Sequence, residues 1–141
     1  MAYSSFGTLL KRGDGGSPES FATIGEVLDI KGPELEADTE DSTNHSSTDG
    51  WDESIVTILK GGELTFDINY LPENATHNLA TGFLKDFNNR TKRNFQLVFP
   101  NPGNTTWNFG AFVTKFSPAN PVKGIMKGSV TLKISGKPTL V

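Results

Sequence analysis

Residues 63–70 read Glu-Leu-Thr-Phe-Asp-Ile-Asn-Tyr, with Leu64, Phe66, Ile68 and Tyr70 at every second position and Thr65, Asp67 and Asn69 between them. A period of two sends alternate side chains to opposite faces, which an extended strand does and a helix does not. A strand with one apolar face is not stable alone and needs others beside it. The rest of the chain supplies them. Val130, Leu132 and Ile134 alternate with Ser129, Thr131 and Lys133 within 125–135, and Phe95, Leu97 and Phe99 alternate in the same way. Segment 54–59, Ser-Ile-Val-Thr-Ile-Leu, is a β-branched strand run. Segment 106–116 is apolar on both parities, with Trp107, Phe109, Ala111 and Val113 on one and Phe112 and Phe116 on the other. It is expected to lie centrally or beneath a helix. Segment 21–30 reads as one strand, with Ile24, Leu28 and Ile30 on one parity, and 6–12 as a short one. Turns fall at 13–19, Gly32-Pro33, Gly61-Gly62, Pro72 and 100–104.

One stretch switches to the helical period. Leu79, Phe83 and Phe87 stand at i, i+4 and i+8, flanked by Ala80 and Leu84, which predicts a helix over about 76–88. Thr76 or Asn74 is placed to cap its start and Asn88-Asn89 to end it. Gly82 weakens it by about 1 kcal/mol relative to Ala, so packing rather than propensity must hold it. The expected architecture is mainly β, with a single helix covering one sheet. At 141 residues the chain fits a single domain spanning 1–141.

Residues 33–53 fit neither period. Leu35 and Ala37 are almost the only apolar residues before Trp51 in a run of acids, Ser, Thr and Asn. Such a run buries too little to offset its ordering entropy, so it is expected to be a long polar loop or an extended arm. Only 35% of the chain is hydrophobic, which also implies segments that are covered, if at all, by other copies. Charge is divided along the chain. Residues 34–67 hold ten carboxylates against Lys60, and residues 85–141 hold nine lysines and arginines against Asp86. Locally these are −9 and +8, although the whole chain carries only −3.

The residues of common active sites are missing or misplaced. There is no cysteine, which removes disulfides, thiolate metal sites and thiol nucleophiles. Gly13-Asp14-Gly15-Gly16 lacks the Lys-Ser/Thr of a phosphate loop. The two histidines, His45 in the arm and His77 at the helix start, form no ligand pair and read as surface or capping residues. Asp38-Thr39-Glu40-Asp41 is rich in oxygen but lacks the spacing of a calcium loop. No catalytic, metal or cofactor residue is assigned, and the chain reads as a non-enzyme. The N-terminal stretch has no leader pattern and no apolar run reaches membrane-spanning length, so no membrane partner is expected. The four Asn-x-Ser/Thr matches then read as turn chemistry. The phenylalanines sit on core parities. Trp51 stands apart, at the edge of the acidic arm, as a candidate anchor at a subunit contact.

The order of these pieces resembles the major tail tube proteins of long-tailed, siphophage-type bacteriophages. The resemblance runs from about residue 21 to the end. It rests on Phe21–Ile30 followed by the acidic arm, Gly50-Trp51-Asp52-Glu53-Ser54-Ile55-Val56, Lys60-Gly61-Gly62-Glu63-Leu64-Thr65-Phe66, Thr106-Trp107-Asn108-Phe109, and the closing Gly136-Lys137-Pro138-Thr139. It implies a small β-sandwich or barrel of packed antiparallel sheets with one flanking helix, and a structural virion protein assembled in the host cytoplasm. Its subunits would form rings, normally hexameric, that stack into a hollow tail tube delivering DNA without binding it specifically. Tape-measure, tail-terminator and tail-tip proteins are the implied partners. On this reading Glu36, Asp38, Glu40, Asp41, Asp49, Trp51, Asp52 and Glu53 are candidate subunit-contact or lumen residues. Arg90, Lys92, Arg93, Lys123 and Lys127 are candidate basic contact partners. The inner tube of a contractile injection machine shares the expected fold. A carbohydrate-binding sandwich using Trp51 or Trp107 is the alternative of another class.

Overall fold

A computed structural model describes residues 2–140. Ten strands, in chain order, are β1 (Leu9–Gly13), β2 (Phe21–Thr23), β3 (Val27–Lys31), β4 (Glu36–Asp41), β5 (Ser54–Lys60), β6 (Glu63–Asn69), β7 (Arg93–Val98), β8 (Thr106–Ala119), β9 (Lys127–Ile134) and β10 (Thr139–Leu140). One α-helix, α1 (Phe83–Asn89), lies between β6 and β7. Eight strands form one antiparallel sheet in the order β2-β1-β7-β8-β9-β6-β3, with β10 added to β8. The two end strands, β2 and β3, follow each other in the chain with only three residues between them. A sheet whose edges are joined so closely must curl on itself, which gives the small sandwich expected for this chain.

The period-two residues fill the interior. Leu64, Phe66 and Ile68 of β6 and Val130, Leu132 and Ile134 of β9 are buried and paired, Leu64 opposite Leu132 and Phe66 opposite Val130. Phe95 and Leu97 of β7, Leu10 of β1 and Phe83 of α1 complete the same core. Strand β8 is central, as its composition predicts, but only one of its faces is buried at a time. Phe109, Ala111 and Val113 point inward; a register shift between Val113 and Lys115 then admits Thr114 as an extra residue. A bulge of one residue reverses the parity. Beyond it Phe116 turns inward, 5.1 Å from the Tyr70 ring and 5.5 Å from Phe83.

Three local expectations are corrected. Segment 21–30 is two strands, broken at Gly25-Glu26, where Glu26 adopts a left-handed φ of 49°. Leu28 is consequently exposed although Ile24 is buried. The helix begins at Phe83, and residues 71–82 are turns. Asparagine side chains capture the backbone there. Asn78 Oδ1 accepts from the N–H groups of Thr81 and Gly82, and Asn74 Oδ1 from that of Thr76. These local bonds compete with the helical ladder. Leu79 and Phe87 are exposed, and Phe83 alone of the apolar triple is buried. His77 is no surface residue but fully buried. Its Nε2–H donates to the Gly25 carbonyl at 2.7 Å and its Nδ1 accepts from the Leu71 N–H at 3.2 Å.

Below α1 the Asp86 carboxylate is closed off from solvent. Arg12 reaches it with Nε and Nη2, and Arg93 donates from Nε at 2.7 Å. The remaining contact of each arginine goes from Nη1 to a carbonyl, Thr81 for Arg12 and Asp14 for Arg93. The helix is thereby tied to β1 and β7.

Candidate assembly surface

The acidic segment is an arm, and it is ordered. Strands β4 and β5 pair with each other alone, as a two-stranded sheet outside the main one. Glu36 lies opposite Lys60 and Asp41 opposite Ser54, with a register shift between Ala37 and Thr39. The sequence hid this because β4, Glu-Ala-Asp-Thr-Glu-Asp, has no strand signature; its partner β5 imposes the conformation. Gly62 carries the chain from the arm back into β6 at φ 67°, and a Cβ there would meet the Glu34 carbonyl oxygen at 2.0 Å.

The tip is braced by short-range bonds. Ser42 N–H donates to the Glu53 carbonyl at 2.9 Å and Glu53 N–H to Thr43 Oγ1 at 2.7 Å. Ser46 N–H donates to Asn44 Oδ1, and the Trp51 N–H to the Thr48 carbonyl, closing a single 3-10 turn over Thr48–Gly50. Thr43, through its hydroxyl and its N–H, holds the Asp41 carboxyl below the usual carboxylate range. Asp49 sits in the left-handed region at φ 54°. This local network is why a segment so poor in apolar residues keeps a shape.

The candidate residues are distributed unevenly. Glu36, Glu40 and Asp41 lie along β4, while Asp49, Trp51, Asp52 and Glu53 cluster at the tip; all are exposed. Asp38 already pairs across the hairpin, 3.2 Å from Lys60 Nζ. Of the basic candidates, Arg93 is occupied by Asp86, and Arg90 and Lys92 are exposed after α1. Lys123 and Lys127 are exposed at the other end of the domain, in and after the turn joining β8 to β9. Arg93 is opposite Ala111 and Lys127 opposite Ala119. Eight residues of β8 therefore separate the two basic groups, about 26 Å at strand rise.

Sequence reasoning missed what β5 exposes. Ile55, Val56, Ile58 and Leu59 are all exposed, Leu59 to 77%, so both faces of one strand present bare aliphatic surface. Trp51 extends it at 73% exposure. Exposed apolar surface of this extent marks a protein contact. The signal was present as Ser-Ile-Val-Thr-Ile-Leu, but composition alone does not tell a core strand from an uncovered one. Among the described residues no group of acidic and histidine side chains is arranged to hold a metal ion, and no helix is long and apolar enough to cross a membrane.

Comparison with known proteins agrees with a contact-forming domain. No curated protein matches the chain by sequence. Its fold is shared with solved assemblies. The tail of an empty gene transfer agent particle, refined helically with C6 symmetry, aligns at TM-score 0.80 and 18% identity over 99% of both chains. A chain of the native gene transfer agent virion aligns at 0.77 and 16% identity, again over 99% of both. A chain of the extended sheath–tube complex of an extracellular contractile injection system, PVC, gives 0.70 and 16% identity over 99% of this chain and 91% of its own. The family model described as lambda phage tail tube protein, TTP, matches residues 3–141. The chain therefore belongs to the lambda phage tail tube protein family, a family of structural virion proteins of the phage tail.

Proposed function

We infer that copies of this chain close into rings of six and that the rings stack into the hollow tube through which the phage genome leaves. The observation that carries this is the uncovered β5. A lone two-stranded hairpin with aliphatic side chains on both faces has no core of its own. It becomes stable when other subunits cover it. Family membership says which assembly that is, and the C6 symmetry of the gene transfer agent tail supports six subunits per ring. Carboxylates of the arm meet lysines and arginines of neighbours, and others face the lumen, where like charge keeps DNA from adhering. Tape-measure, terminator and tip proteins meet the tube at its interior and ends.

The inner tube of a contractile machine is the second reading, favoured by the likeness to the contractile-system chain at TM-score 0.70. The carbohydrate-binding alternative has no support from the family match, and its two tryptophans lie apart. Trp107 packs edge-on against Phe99 at 6.4 Å, near the root of the arm, and Trp51 stands at the tip. Negative-stain microscopy of the purified chain at rising concentration tests the assembly. Rings and hollow tubes are expected; a protein monomeric at every concentration and ionic strength overturns the reading.

A further inference from the structure

The two ends of the arm differ in form and in charge. At its root lies a groove of about 670 Å³, where Ala37 and Leu59 of the hairpin face Trp107, Pro138 and Leu140 of the body. Lys60 and Lys137 lie on its wall, together with Glu36. Lys60 is engaged by Asp38, whereas Lys137 makes no ion pair among the described residues. At the other end of the arm Trp51 projects among Asp49, Asp52 and Glu53, with no apolar cover. An acidic, aromatic knob and a lysine-bearing apolar groove thus occur on the same chain.

They cannot meet within one copy. The seven residues of β5 separate tip from root, about 23 Å at strand rise. The hairpin ladder and the bonded tip prevent the arm from folding back on itself. We propose that Trp51 of one copy seats in the root groove of a second copy, with Asp52 and Glu53 set against that copy's Lys137. The proposal rests on the tube reading and names the residues through which copies meet. Knob and groove occupy different places on the subunit, so the contact is heterologous and each copy offers one of each to the next. A large aromatic side chain entering an apolar pocket, ringed by paired charges, is the arrangement in which single interface residues dominate affinity.

The absence of cysteine makes the test clean. Asp52→Cys and Lys137→Cys are made separately in the full chain, each leaving Trp51 in place. The two proteins are mixed at a concentration where the wild type assembles and are then oxidised. Disulfide-linked dimers are expected in the mixture and in neither protein alone. Adding Trp51→Ala to the Asp52→Cys protein abolishes them. Trp51→Ala alone raises the concentration at which tubes appear by roughly tenfold or more, with an unchanged unfolding midpoint. The proposal is overturned if wild-type tubes form while the mixture gives no cross-link, or if Trp51→Ala assembles at the wild-type threshold. A wild-type chain that never assembles overturns the tube reading itself, which is a different result.

Discussion

Arg93 donates from Nε to Asp86 Oδ1 at 2.7 Å, inside a site where the carboxylate has no solvent exposure. Arg12 occupies the other side of the same carboxylate. Two cations thus depend on one anion, and all three carry hydrogen bonds that water cannot replace without opening the helix. Asp86→Ala leaves both guanidinium groups facing each other in a largely dry space. The expected loss is about 3 kcal/mol or more of folding stability, since removing one partner of a buried pair strands the rest. Urea unfolding of the monomeric chain measures it. A change within about 0.5 kcal/mol, the range of an ordinary surface substitution, would show that the cluster does not hold α1.

His77 makes stability depend on pH. Burial holds its imidazole below the ordinary value of 6.5, against the opposing pull of the Gly25 carbonyl and the Glu26 charge. In the folded chain Nδ1 must accept from Leu71, and a proton there sets donor against donor. The unfolded chain binds that proton near 6.5 and the folded chain only at lower pH. This contribution is therefore complete above about pH 6.5 and is lost as the pH falls from there through the depressed folded value. Urea midpoints taken between about pH 7.5 and 5 should fall on acidification. His77→Gln should show a shallower fall, and equal slopes in the two proteins would remove His77 as the cause.

Leu59 separates folding from assembly. It is among the most exposed large apolar residues in the chain, and none of the core rests on it. Leu59→Asp is expected to change the monomer's unfolding free energy by less than about 0.5 kcal/mol and to prevent ring and tube formation. Calorimetry and negative-stain images of the same preparation report both. Tubes of normal appearance from this variant would mean that β5 stays bare in the assembly.

The arm's carboxylates should give the tube its salt dependence. Asp49→Asn, Asp52→Asn and Glu53→Gln together leave the backbone bonds of the tip intact. Exposed charges are screened over about 8–10 Å at ordinary ionic strength. Wild-type tube yield is expected to change with added salt and the triple variant's yield to respond much less. If the two titration curves coincide, these carboxylates are not at a contact.

The sequence displays the parts of this fold governed by simple alternation. Leu64, Phe66 and Ile68, and Val130, Leu132 and Ile134, stand where a period of two requires. What it conceals are events of one residue. Thr114 as a bulge makes β8 look apolar on both sides although it buries one side at a time. Glu26, in the left-handed region, breaks an apparent strand, and Asn74 and Asn78 divert backbone bonds that a helix would have used. The arm was legible by composition and not by conformation, because β4 is a strand only through β5. Trp51 was visible as an outlier in a polar run. Its matching groove was not, since Ala37, Trp107 and Leu140 are brought together only by the pairing of β10 with β8 and the exit of the arm beside them.

The arm is a prolongation of the body rather than an appendage. Strand β3 leads into β4 and β5 into β6, and β3 is itself paired with β6. Across the junction Lys31 opposes Thr65, the Glu34 N–H donates to the Glu63 carbonyl at 3.3 Å, and Glu36 opposes Lys60. The two strands form one long ladder, with register shifts between Val27 and Ile30 and between Ala37 and Thr39 and a break where the chain leaves the sheet. A load applied along the arm by a neighbouring copy therefore runs lengthwise into β6, which is bonded along its whole length to β9. Such a load must shear many hydrogen bonds together instead of opening them one by one. Held by its neighbours through the arm as proposed, the subunit would behave as a tension member.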